Sequence, residues 1–114
     1  LAHHMVKFIE DDGRKDVAKQ YLEASKEARN AARSARKEAR LALAGLIEAK
    51  PFNRDEVDAA LAVVANTEAD MRNIRHANYS VILATMNEDE RAKVAKALRY
   101  WSARRHGGRR WKRD

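Results

Sequence analysis

Few side chains in this sequence are of types that perform covalent or metal chemistry, and none stands at a spacing that would let it. There is no cysteine, so thiol nucleophiles, disulfides and thiolate ligands are excluded. Of the four histidines, His3 and His4 open the chain, His106 lies near its end, and His76 has Arg72 and Arg75 close by. A divalent site needs three or four converging ligands, and cationic neighbours oppose one, so no high-affinity metal site is expected in residues 14–98. The carboxylate pairs Asp11-Asp12 and Asp55-Glu56 fall at helix starts, where the helix dipole already favours them. No glycine-rich phosphate loop, His-Glu-x-x-His pattern or nucleophile with a partnered base is present. These residues point to binding rather than catalysis, with no catalytic residue to name.

The chemistry that remains is charge. Arg29, Arg33, Arg36 and Arg40 recur at steps of four, three and four, which places them in one stripe of a helix. Such a stripe is either a solvated flank with local ion pairs or a ridge that receives an anionic partner. Net charge is +7, but residues 1–98 hold 17 Lys/Arg against 16 Asp/Glu, whereas residues 99–114 hold seven basic side chains against Asp114. The body is nearly neutral and the end is basic. There Tyr100, Trp101, Arg104, Arg105, Arg109, Arg110, Trp111 and Lys112 mix cations with aromatics. That mixture suits either a solubilising terminus or contact with nucleic acid or an anionic surface.

The elements that must carry these residues are helices. At 114 residues the chain is expected to form one domain, and with four glycines and one proline its composition is that of long helices. From about Arg14 to Ala49 small and apolar residues recur at helical spacing, predicting one long, straight, alanine-faced helix. Pro51 ends it. Asn53 and Glu56 then form a capping box, with Phe52 and Val57 as a hydrophobic staple, so a second helix runs from about Arg54 to Met86. Asn87 and Glu90 repeat the box and start a third helix at about Glu88, which should fray by Gly107-Gly108.

The predicted fold is therefore all-α, a long antiparallel hairpin with a shorter third helix, and dimeric. Residues 1–13 are expected to be a terminal stub or artefact, 14–106 the helical domain, and 107–114 a basic flexible tail. Aromatics make up only 6% of the chain, so the core is thin. Val64, Met71, Tyr79, Ile82 and Met86 are therefore assigned to a face that meets a second subunit or a client. Glu68 and Arg75 interrupt that stripe; equal counting from the turn sets them against Arg36 and Glu27 as a polar seam.

Two segments, Pro51-Phe52-Asn53-Arg54-Asp55-Glu56-Val57-Asp58-Ala59-Ala60-Leu61 and Met86-Asn87-Glu88-Asp89-Glu90-Arg91-Ala92-Lys93-Val94-Ala95-Lys96-Ala97-Leu98, resemble the helix starts of a known family. This is the periplasmic heavy-metal sensor and resistance family, related to the Spy-like helical chaperones. The likeness spans about residues 25–110. It implies a hooked hairpin that homodimerises in the periplasm, membrane-anchored upstream of Leu1, and acts as a metal-stress sensor or an ATP-independent chaperone with a protein partner or client. A divalent metal is implied as cofactor by the resemblance alone. The first long helix lacks the His/Glu ligand cluster of the metal-binding members.

Overall fold

The computed structural model describes the backbone of residues 1–113 and the side chains of residues 1–104. The chain forms α1 (Ala2–Val6), α2 (Asp12–Ala24), α3 (Lys26–Glu48), α4 (Arg54–Thr85) and α5 (Glu88–Arg113), with no strand among the described residues. The all-α expectation holds. The helices gather into two compact units, one of Tyr21–Asn78 and one combining Leu1–Gln20 with Tyr79–Asp114.

The Tyr21–Asn78 unit is a helical hairpin built from α3 and most of α4. Its turn follows the capping logic: Asn53 Oδ1 accepts from the Glu56 amide at 3.1 Å, and the Val57 amide donates to the Asn53 carbonyl at 3.1 Å. Ala39 and Val57 are buried along the seam, while Ala32, Leu43, Leu46, Val64, Met71 and Ile74 are half-buried. Alanine permits close approach of the two backbones, but so narrow a seam leaves the flanks of both helices to solvent.

The expected unbroken helix from Arg14 to Ala49 is divided at Ser25. Both the Ser25 hydroxyl and the Arg29 guanidinium donate to the Leu22 carbonyl, each at 2.9 Å. Side chains that bond a backbone carbonyl compete with the helical ladder, and serine in mid-helix is a common place for a ladder to open. The amides of Ser25 and Arg29 keep their bonds to Tyr21 and Ser25. The interruption is thus local.

The second unit has a core of Met5, Val6, Ile9, Ala18, Ile82, Met86 and Val94. The first 13 residues, expected to lie outside the domain, supply three of these side chains. Met5, Val6 and Ile9 have the spacing of a single turn, which is too short a run for periodicity to register. The box at the start of α5 is complete: the Glu90 amide donates to Asn87 Oδ1 at 2.8 Å, and the Asn87 amide donates to Glu90 Oε1 at 3.0 Å.

Candidate functional site

Two polar arrangements stand out, one in each unit. In the hairpin, helical geometry of about 100° per residue puts Arg29, Arg33, Arg36 and Arg40 on one side of the α3 seam line. The same geometry puts Glu68 and Arg75 on one side of the α4 seam line. Arg40 Nη2 lies 3.4 Å from Glu68 Oε1, which joins the two rows into one face. One heptad from this pair toward the turn are Ile47 and Leu61, 57% and 48% exposed; one heptad the other way are Arg33 and Arg75, both exposed. The face therefore runs from arginines, through one ion pair, to exposed aliphatic residues, with exposed Phe52 in the adjoining turn.

Equal counting from the turn pairs Glu68 with Arg36, but the structure pairs it with Arg40. Helical side chains lean toward their own N-terminus, so Arg40 reaches away from the turn and Glu68 reaches toward it. In an antiparallel hairpin the two leans add and shift the contact by about one turn. Arg36 is half-buried near the seam. Arg75 makes no ion pair with Glu27, and neither Arg33, Arg36 nor Arg75 is ion-paired among the described residues. The local pair that forms on α3, Lys26 with Glu23 at 3.9 Å, leaves the arginine row untouched. Apart from Arg40, the row has no carboxylate partner among the described residues.

On the opposite side of the hairpin is an open groove of about 380 Å³ lined by Ala32, Ala35, Thr67, Asp70, Asn73 and Ile74. It lies away from Glu68 and Arg75, so the expected polar seam and this groove are separate features.

The expected partner face divides. Ile82 and Met86 are 0% and 4% exposed within the second unit's own core, so they are not available to a partner. Val64 and Met71 are half-buried in the hairpin seam, and Tyr79 is half-buried in the second unit. The apolar stripe along α4 is real; the chain itself covers its last turns.

In the second unit, Glu90 is fully buried and accepts from four donors. They are Arg14 Nη1 at 2.5 Å, Arg14 Nη2 at 3.1 Å, the Glu10 amide at 2.6 Å and the Asn87 amide at 3.0 Å. Arg14 Nη1 also donates to the Thr85 carbonyl at 2.9 Å, and Lys93 bonds Glu10 at 2.8 Å. The Arg14 guanidinium foremost, then the two amides, hold the Glu90 carboxyl down at a pKa of about 2. A carboxylate so bound fastens the first residues of the chain to the α4–α5 turn rather than taking up protons. Sequence reading recognised Glu90 as a cap, but Arg14, 76 positions away, carries no local signal of this pairing.

Of the basic tail, Arg104 is exposed and its Nη1 donates to the Tyr100 hydroxyl at 3.0 Å. The side chains of Arg105, Arg109, Arg110, Trp111 and Lys112 lie outside the described residues. No group of three or more His, Cys, Asp or Glu comes together to hold a metal ion among the described residues. No described helix is long and apolar enough to cross a membrane. Comparison with protein-family models, curated proteins and solved structures finds no match for this chain.

Proposed function

We propose that this protein is a non-enzymatic, chaperone-like binding domain whose hairpin face engages acidic, partly apolar polypeptide. The observation that carries the reading is the row Arg33, Arg36 and Arg75, free of ion pairs among the described residues, running on one face into exposed Ile47 and Leu61. Guanidinium groups on a helical face bind carboxylates in a fixed fork geometry, and neighbouring aliphatic surface holds apolar side chains without demanding one sequence. Of the two roles implied by the family resemblance, this surface supports client binding. The resemblance also leads us to propose a periplasmic homodimer, which cell fractionation and sedimentation equilibrium at micromolar concentration test.

The binding claim is tested by fluorescence anisotropy with a labelled, permanently unfolded acidic polypeptide. Affinity should fall as salt rises, and the double substitution Arg33→Glu/Arg36→Glu should weaken binding by about tenfold or more at low salt. Equal affinity for wild type and variant would remove the reading.

A further inference from the structure

The second unit carries a surface of different character. On α5, Val94, Ala97, Leu98 and Trp101 share one stripe; Val94 is buried, while Leu98 and Trp101 remain 42% and 39% exposed. Leu98 and Trp101 line an open groove of about 600 Å³ together with Leu1, Ser102 and Arg104. Trp101 is steadied by an edge contact with the His4 ring at 6.3 Å between centroids. Tyr100, 58% exposed, is tied through its hydroxyl to Arg104 one turn on. The sequence then adds Arg105, Arg109, Arg110, Lys112 and Arg113 against one acidic residue, Asp114.

We infer that this part of α5 is a docking surface for an anionic phospholipid bilayer, lying along the interface. Leu98 and Trp101 would enter the headgroup boundary, where the indole keeps its apolar body in contact with acyl chains and its N–H in water. Arg104 would meet lipid phosphates, and the sequence that follows it is rich in further cations. Charge complementarity selects the anionic surface, because each Lys or Arg near such a surface adds attraction that a zwitterionic one does not supply. The apolar stripe favours lipid over nucleic acid: phosphates and base edges gain nothing from an exposed Leu98, whereas a bilayer interface does. This surface is independent of the hairpin face and holds whether or not that face binds clients.

Vesicle co-sedimentation of the full chain tests it, with phosphatidylcholine vesicles against vesicles holding a third phosphatidylserine. We expect partition onto the anionic vesicles only, decreasing with salt, with a blue shift of tryptophan emission. The double substitution Leu98→Ser/Trp101→Ser, at exposed positions, should reduce partition by about tenfold while leaving helicity by circular dichroism unchanged. Arg104→Glu should reduce it less, and without altering the emission of protein that does bind. Equal binding to both vesicle types, binding to neither, or partition unaffected by the Leu98/Trp101 substitution would each overturn the inference. So would binding to a short DNA duplex in the absence of any vesicle partition.

Discussion

Glu90 is the residue on which the second unit depends most visibly. Its carboxyl titrates at about 2 in the folded chain, below the ordinary carboxylate range, because Arg14 and two backbone amides bond its charged form. A group with a depressed folded pKa contributes stability that is present above its unfolded pKa and is lost as pH falls through the folded one. Thermal stability should therefore be insensitive to this group above about pH 5 and decline between about pH 4.5 and 2. Glu90→Gln should be less stable at neutral pH and lose most of that acid-limb dependence. An unchanged acid limb in the variant, followed by circular dichroism, would mean that other carboxylates govern it. Ile82→Ala, emptying a fully buried site in the same core, should cost about 2–5 kcal/mol by urea unfolding. A loss under about 1 kcal/mol would show that Ile82 is not packed as described.

At the scale of elements, the sequence was most legible where one residue's side chain answers a neighbouring backbone. Asn53 and Asn87 announce the starts of α4 and α5, and both helices begin where those caps require. Asn53→Ala should accordingly reduce stability by about 1 kcal/mol, measurable by denaturant unfolding. The interruption at Ser25 was not legible, because it arises from Ser25 and Arg29 converging on one carbonyl while the alanine periodicity continues across it. Nor was α1, whose apolar residues acquire meaning only against α4 and α5 of the same unit. Register in the hairpin lay between these cases. The antiparallel pairing followed from Pro51, but which arginine meets Glu68 depended on side-chain lean. The Arg40–Glu68 pair is about half exposed, so a double-mutant cycle should return a coupling below about 1 kcal/mol. A larger value would assign it a structural role that its exposure does not suggest.

For the whole molecule, the arginine stripe was visible in the sequence as a spacing, but its meaning depended on what lay across the seam. Glu23, Glu27 and Glu38 stand at none of the three- or four-residue steps from the row that pair side chains along a helix, so only a carboxylate across the seam can neutralise it. In the folded hairpin only Arg40 of the row has a carboxylate partner among the described residues, and Ile47 and Leu61 continue the same face. Charge and apolar surface thus coexist where a partner can reach both. The most direct measurement is a titration of isotope-labelled full chain with an unfolded acidic polypeptide, followed by amide chemical shifts. We expect the largest changes at Arg33, Arg36, Arg40, Ile47, Leu61 and Arg75, with little change at Ala35, Asp70 and Ile74 on the opposite side. Shifts confined to that opposite groove, or to α5, would contradict the assignment of the arginine face as the binding site.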